Sequence, residues 1–197
     1  TRFTTQGSFE SVVAIDDRMF AAVWFDNTNL RLCEFIVGHH LDNSKTYTIS
    51  NKSTSVSGDF ANGVVVHVVA KTASGREDYL GTHTVANNSI SLAEYNEIYA
   101  TAEIGYKFTI NVTTNPVDAQ VKTGPVTGEP RGIATVVADF IETKSASMNG
   151  ISLITDSAIS GKKEFRLLGY SRDPKITITQ NEPLPFQLNG LTAELIL

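Results

Sequence analysis

The sequence FTINVT, residues 108–113, alternates apolar and polar side chains with a period of two. In an extended strand its Phe, Ile and Val side chains point to one face, and its Thr and Asn side chains point to the other. One dry face and one wet face are typical of a half-buried antiparallel sheet. The same alternation occurs at residues 45–50 and 175–179, and we expect both to form edge or surface strands.

Other stretches are apolar on both faces, and these are residues 11–15, 19–25, 64–69 and 133–141. We expect them to be central strands that are covered on both sides. Asp16-Asp17 separates the first two stretches, which predicts an antiparallel meander of three strands at the start of the chain. Asn87-Asn88 stands where a tight hairpin needs positive φ.

Helix is expected in one or two short turns at most. The candidate is residues 91–98, where Ser91 and Glu94 have the spacing of a capping box. We therefore predict an all-β fold, in which antiparallel sheets form β-sandwich or barrel-like units.

The polar turn content divides the chain into three predicted regions. Residues 1–38 form a strand meander that continues an upstream region, residues 39–92 form a small β domain, and residues 93–197 form a larger closing β domain. Residues 115–130 are rich in Pro and Gly, which predicts a long exposed loop. A loop of this length is usually functional, and we expect it to line a channel or to touch a neighbouring subunit. The chain starts with Thr1 instead of Met, which suggests a fragment or a processed product.

Composition excludes several classes of function. The net charge is −5, and the Lys and Arg residues are scattered, so a high-affinity groove for nucleic acid is not expected. No apolar run approaches the roughly 20 residues that span a bilayer, so we predict no membrane-spanning segment.

Cys33 is the only cysteine, which excludes an intramolecular disulfide and suits assembly in a reducing cytoplasm. We expect it to be a small packed side chain and not a nucleophile.

The histidines are the first candidates for a metal site. His39 and His40 could bind an ion together with His67 or His83. Adjacent histidines in a strand point to opposite faces, and no acidic or Cys ligand stands at a recognised spacing beside them. We therefore predict no metal-binding residues.

The acidic residues are the candidates for catalysis. Asp16 and Asp17 could act as a carboxylate pair on a glycoside, but a turn explains two consecutive acids better. Asp139 interrupts an apolar strand, and we expect it to pair with Arg131 or Arg166 across a sheet. The chain has no Gly-x-Ser-x-Gly elbow, no Walker loop and no dinucleotide fingerprint, and the Gly-Lys-Lys at 161–163 is interpreted as a basic turn. We predict no catalytic residue and no cofactor, and a protein that is not an enzyme.

The sequence GYSRDPKITITQNEPLPF, residues 169–186, resembles the C-terminal signature of the tail tubular (nozzle) proteins of short-tailed bacteriophages. A second stretch, within residues 79–106, is similar to that family's hairpin, short strand and Gly-x-x-Tyr-type element. A third, within residues 7–35, is similar to the meander that ends the family's upstream region. The order and spacing agree over nearly the whole chain, with departures at residues 131–141 and 147–150.

The resemblance implies a virion structural protein. The expected role is a subunit of a ring, commonly sixfold, that forms the conduit for DNA ejection at the narrow end of a phage tail. The implied partners are further copies of the chain, other phage tail proteins and passing DNA without sequence recognition. The implied location is the phage tail, after assembly in the cytoplasm of the bacterial host. Mild acidity would reduce the attraction between the wall and DNA.

Two other functions fit parts of the sequence. Thr- and Asn-rich faces with Tyr79, Tyr95 and Tyr106 would suit a β-sandwich that binds a carbohydrate or a host receptor. A glycan-cleaving enzyme would depend on scattered acids alone.

Overall fold

The computed structural model describes residues 8–16, 18–24, 30–35, 39–117, 120–121, 124–125, 130–167 and 169–196. Every regular element in these ranges is a β-strand, so the predicted all-β fold class is confirmed. None of the described elements is a helix of the length and hydrophobicity needed to cross a membrane. The chain divides into two compact units, and the division falls between Phe108 and Thr109.

The first unit contains β1 (Ser8–Ile15), β2 (Arg18–Trp24), β3 (Leu30–Phe35), β4 (Asp42–Thr48), β5 (Ser53–Ser55), β6 (Val65–Lys71), β7 (Glu77–Thr84), β8 (Ser89–Ser91) and β9 (Thr101–Tyr106). These strands form a meander in the order β1-β2-β3, a sheet in the order β4-β9-β6-β7, and the pair β5-β8. All pairings are antiparallel. The predicted boundary after Leu92 therefore falls inside this unit, because β9 returns to lie between β4 and β6.

The meander has the three sequential strands that its turns predict, but its burial differs from the prediction. Residues 11–15, expected to be covered on both faces, lie in β1, where every residue is exposed. Among the described strands, β1 pairs with β2 alone and so lies at the edge of the meander. Burial is concentrated in the central strand β2, where Ala21 is 1% exposed and Val23 is 2% exposed.

The four-stranded sheet carries the core of the first unit. In β6 the alternate residues Val66, Val68 and Ala70 are fully buried, and they pack with Ile104 of β9. Burying each of these Val and Ile side chains contributes about 1.5–3 kcal/mol of hydrophobic free energy.

Two local predictions concern the segment between β7 and β9. Asn87 and Asn88 have φ of 51° and 55°, which confirms the predicted hairpin turn. The stretch 91–98 contains a turn and not a helix: the Tyr95 N–H donates to the Leu92 carbonyl over 3.2 Å. The capping-box spacing supports only a single turn here, because no further helical residues follow it.

The second unit contains β10 (Ile110–Thr113), β11 (Gln120–Val121), β12 (Gly124–Pro125), β13 (Arg131–Met148), β14 (Ile151–Arg166), β15 (Tyr170–Ser171), β16 (Thr177–Gln180) and β17 (Leu188–Ile196). The main sheet has the order β10-β16-β13-β14, and β15 and β17 also pair with β13. β11 and β12 pair with each other, and no other described strand pairs with either of them. Residues 175–179 were expected at an edge, but β16 lies between two strands, and Ile178 is 3% exposed.

β13 is the central strand of the second unit. Along one edge it pairs with β14 over nearly its whole length. On the other edge its partner changes from β17, at residues 132–140, to β16, at residues 147–148. The register shifts between Phe140 and Thr143, and Glu142 has a φ of 44°. The change of partner thus coincides with a β-bulge, which bends and twists a strand locally.

The bulge is held by the segment that precedes β17. Thr143 is fully buried, and its hydroxyl accepts a hydrogen bond from the Gln187 N–H over 2.9 Å. The same hydroxyl lies 3.0 Å from the Gln187 carbonyl and 3.1 Å from the Ile141 carbonyl, within donating distance of both. The Ile141 N–H donates to the Gln187 carbonyl, and the Lys144 N–H donates to the Pro185 carbonyl. The segment Pro183–Gln187 therefore satisfies the backbone groups that the bulge removes from the ladder.

The turn between β13 and β14 is a second fixed point. Asn149 and Gly150 have φ of 46° and 85°, which is the geometry of a two-residue type I′ hairpin. The Asn149 Oδ1 accepts from the Thr177 N–H over 2.6 Å, and the Asn149 N–H donates to the Thr177 carbonyl over 2.8 Å. The hairpin tip is thus tied to β16.

The first prediction concerns Thr143. Replacing it by Val keeps the shape but leaves the Gln187 N–H without its buried acceptor. We expect Thr143→Val to lower the free energy of unfolding by about 1–3 kcal/mol. Urea unfolding followed by circular dichroism measures this loss. Thr192→Val, on the exposed side of β17, is the matched control and should change stability by less than about 0.5 kcal/mol. Equal effects of the two variants would contradict the role given to the Thr143 hydroxyl.

The second prediction concerns Gly105 in β9. A Cβ built on Gly105 would lie 2.7 Å from the Asp42 carbonyl oxygen and 2.7 Å from the Ser44 Cβ, so β4 approaches too closely for any side chain. We expect Gly105→Ala to destabilise the first unit by about 1–3 kcal/mol. Gly190→Ala is the control, since its Cβ would meet no atom within 4 Å. Thermal unfolding should give a lower melting temperature for Gly105→Ala than for Gly190→Ala. Similar melting temperatures would show that β4 shifts to accommodate the added methyl group without loss of stability.

Candidate functional site

His39 and His40 lie just before β4, and each contacts a different carboxylate. The His39 Nδ1 lies 3.3 Å from Glu103 Oε1. The His40 Nε2 lies 3.3 Å from Glu77 Oε2. Consecutive side chains thus diverge, as extended backbone requires. Across the described ranges, no group of three or more His, Cys, Asp or Glu side chains is placed to hold a metal ion.

Glu103 is the most heavily hydrogen-bonded carboxylate of this region. It is 9% exposed and accepts from the His40 N–H at 3.0 and 3.1 Å and from the Leu41 N–H at 2.9 Å. The Ser44 hydroxyl adds a further bond of 2.7 Å. Hydrogen bonds to a carboxylate are stronger than neutral ones, so Glu103 anchors the start of β4 to β9. The Glu103 carboxylate therefore already accepts hydrogen bonds from all of these donors.

Glu77 at the start of β7 is the second anchor. It contacts His40 and lies 3.0 Å from the Lys71 Nζ. The hydrogen bond from His40, with Lys71 beside it, lowers the pKa of Glu77 to about 2, although burial alone raises it. The ionised carboxylate is therefore favoured by the folded state.

The other two histidines pair with tyrosines. The His67 Nδ1 lies 2.5 Å from the Tyr79 hydroxyl, and the two rings stack with centroids 5.9 Å apart. The His83 Nε2 lies 3.3 Å from the Tyr95 hydroxyl. Burial, together with the nearby Lys107, lowers the pKa of His67 and favours its neutral form. The structure therefore places the four histidines in separate local contacts.

The tyrosines considered for glycan binding make internal contacts. The Tyr95 hydroxyl donates to the Leu80 carbonyl over 2.6 Å. Tyr106 packs edge-on against Phe60, with ring centroids 5.9 Å apart, and both Tyr95 and Tyr106 pack against the core. Tyr79 stacks on His67. Sugar platforms need an open aromatic face, and these contacts cover part of each ring.

Asp16, the first of the two consecutive acids, falls in a turn. Asp16 is exposed directly after β1 and has a φ of 54°, which suits a turn residue. Asp17 lies outside the described residues.

Asp139 has a different partner from the two that the sequence suggested. It accepts a hydrogen bond from the Asn189 Nδ2 over 2.9 Å, and none of its described contacts is an ion pair. Arg166 pairs instead with Glu164 over 3.2 Å on the exposed surface. Arg131 is 1% exposed, and its Nε donates to the Val117 carbonyl over 3.1 Å. The pairing of β13 with β17 places Asp139 beside β17, and the sequence around Asp139 does not predict this pairing.

A cleft of about 250 Å³ lies in the first unit, lined by Arg31, Asn43, Ser44, Lys45, Gly58, Asp59 and Phe60. Asp59 accepts from the Lys45 Nζ over 2.9 Å and from the Tyr47 hydroxyl over 2.8 Å. These bonds lower the pKa of Asp59 and keep it ionised. The charges of the cleft are therefore largely matched within the chain.

Two smaller expectations concern reactive or basic groups. Burial raises the pKa of the Cys33 thiol, which disfavours the nucleophilic thiolate. The Gly-Lys-Lys at 161–163, interpreted as a basic turn, lies inside β14, where Gly161 pairs with Phe140 and has a φ of 108°. The glycine marks an irregular point of a long strand and not the end of one.

The predicted loop 115–130 lies partly outside the described residues. Within it, β11 and β12 pair over two residues each. Val117 packs against the core of the second unit, and its N–H donates to the Pro174 carbonyl over 2.8 Å. Since buried Arg131 also bonds to Val117, the beginning of this stretch is part of the folded unit.

Half of the large apolar side chains that are exposed in the described residues lie on the meander. Phe9, Val12, Val13, Ile15, Met19, Leu30 and Leu32 are each at least 42% exposed. Arg18 and Glu34 form an ion pair on the face of the meander that also carries Val13 and Phe20. The register puts Val13, Ile15, Leu30 and Leu32 on this face and Phe9, Val12 and Met19 on the opposite one. Exposed apolar side chains of this kind are often found at sites of contact with another macromolecule. The meander is therefore a candidate surface for contact with another macromolecule.

Comparisons with known proteins assign no family to this chain. No protein-family model matches the chain. No curated protein matches it with significant similarity.

The third prediction concerns the pH dependence of Glu77. Its folded pKa of about 2 lies below its ordinary value of 4.5, so its stabilising contribution is present above pH 4.5 and is lost as the pH falls towards 2. We expect Glu77→Gln to be less stable than the parent at pH 7 and to approach it near pH 2. Urea unfolding between pH 7 and pH 2, followed by Trp24 fluorescence and circular dichroism, measures this difference. Glu194→Gln, at an exposed residue of β17, is the control and should change the free energy of unfolding at pH 7 by less than about 0.5 kcal/mol. A gap between Glu77→Gln and the parent that does not close would contradict the assignment.

Proposed function

We propose that this chain is a structural, non-catalytic subunit of a phage virion, and that it forms part of the wall of a tail nozzle through which DNA leaves. The observation that carries the proposal is the stretch 169–186, which resembles the C-terminal signature of tail tubular proteins of short-tailed phages. Its partners would be further copies of the chain and other tail proteins. Its location would be the virion, after assembly in the cytoplasm of the bacterial host.

The contacts of this stretch are structural, as a wall subunit would require. Ile176 and Ile178 are buried in the core of the second unit. The Gln180 side chain donates to the Leu184 carbonyl, and the Pro185 carbonyl accepts from β13. The motif thus holds the central strand of the unit in its bent form. A wall element needs such rigidity more than it needs reactive groups.

The charge distribution also supports a conduit. The net charge of −5 repels the phosphate backbone, and the lysines and arginines are dispersed along the chain. Among the described cations, Arg18, Lys45, Lys71, Arg76 and Arg166 each pair with a carboxylate. DNA would therefore pass such a wall without a strong electrostatic hold.

The fourth prediction tests this function. We expect native mass spectrometry and negative-stain electron microscopy of the purified chain to show closed rings of one stoichiometry. The rings should persist in about 0.5 M salt, because screening at this ionic strength removes nonspecific charge contacts and spares paired strands. Only monomers at every protein concentration, or rings that dissolve in salt, would contradict the proposed role.

A further inference from the structure

The main sheet of the second unit has two open edges at the same level. The register places Val112, Ile178, Met148 and Ile151 in one continuous row across β10, β16, β13 and β14. The neighbouring row contains Asn111, Thr179, Ser147 and Ser152. No described strand pairs with the outer edge of β10 or with the outer edge of β14. Both edges therefore present unpaired backbone donors and acceptors at one height of the sheet.

The side chains at these edges lack the usual protection against pairing. The four residues of β10 and the first five of β14, residues 151–155, contain no charged side chain and no proline. Elsewhere the outer strands do carry charges, at the exposed residues Lys162 and Lys163 of β14 and Glu194 of β17. Charged residues on an edge strand are a common defence against strand addition. The undefended positions are thus confined to one level of the sheet.

The row also ends in apolar side chains on both sides. Met148 and Ile178 in its middle are buried in the core. At its two ends Val112 is half-buried and Ile151 is 42% exposed. Residues in register share a face of the sheet, so the apolar row is continuous from one edge to the other. A strand added at either edge would cover the exposed end of this row.

We propose that β14 of one copy pairs with β10 of the next copy, so that the sheet continues from subunit to subunit. Each neighbouring pair in the order β10-β16-β13-β14 is antiparallel, so β10 and β14 run in opposite directions. The next copy in the same orientation therefore brings its β10 antiparallel to β14. Ile151 and Leu153 would face Ile110 and Val112 of the neighbour, and apolar cross-strand pairs of this kind stabilise a sheet.

A second copy is the occupant that matches both edges. Each subunit presents one open β10 edge and one open β14 edge, so head-to-tail pairing satisfies both in equal number. Symmetric pairing of β14 with β14 would leave every β10 edge open. Head-to-tail contacts close into a ring when the rotation allows it. The inference rests on the proposed nozzle function and names the surface that would build its ring.

The fifth prediction uses engineered cysteines in a Cys33→Ala background. We expect Ile151→Cys combined with Val112→Cys, or with Ile110→Cys to cover the second register, to give a ladder of disulfide-linked oligomers on mild oxidation. A bond within one copy is excluded, because positions 112 and 151 stand three strand spacings apart, about 14 Å, and a disulfide needs Cα atoms within about 7 Å. Lys163→Cys combined with Val112→Cys is the matched control and should give no ladder. Circular dichroism checks that each variant is folded.

The outcomes separate this inference from the proposed function. A ladder in the 151 variants alone supports pairing of β14 with β10. Covalent dimers from Ile151→Cys by itself would show β14 pairing with β14 and would overturn the head-to-tail arrangement. Rings of the parent chain without any cross-link would overturn the edge pairing and leave the nozzle function standing. A parent chain that is monomeric at every concentration would overturn both.

Discussion

The bulge of β13 is the constraint on which the second unit depends. A single strand of 18 residues has β14 along one edge and exchanges β17 for β16 along the other. At the point of exchange the regular ladder is interrupted, and buried backbone groups would lose their partners. The Thr143 hydroxyl and the segment Pro183–Gln187 supply those partners. An unpaired buried polar group costs about 1–3 kcal/mol, so a bend with several such groups forms only when the whole set is satisfied together.

Residues 169–186, on which the proposed function rests, are therefore structural. Their isoleucines fill the core, and their Pro-Leu-Pro-Phe sequence lies against the bulge. Proline has no N–H to satisfy and a fixed φ, which suits a segment that offers carbonyl groups to a neighbouring strand. Residues 169–186 thus constrain the shape of the sheet, which is what the proposed wall subunit would require.

The polar groups of the first unit follow the same principle. Glu103 is enclosed by the backbone N–H groups of His40 and Leu41, and Glu77 contacts His40 and Lys71. Histidines and acids that resemble ligands in the sequence thus hold β4, β7 and β9 together. The opposite directions of His39 and His40 follow from the sequence, because consecutive extended residues alternate in direction. Their carboxylate partners do not, since Glu103 is more than 60 residues away along the chain.

The fold class, the three strands of the meander and the hairpin at Asn87-Asn88 follow from the sequence alone, because alternation and turn preference are local properties of the chain. The tertiary structure decided which apolar strands are buried: residues 11–15 lie in an exposed edge strand, whereas β16 lies inside its sheet. It also decided that β9 completes the first unit, that Asp139 bonds to Asn189 and that the Gly-Lys-Lys lies within β14. Burial and pairing depend on which distant strand arrives alongside, and a period of two is the same for a strand at the centre of a sheet and for one at its edge.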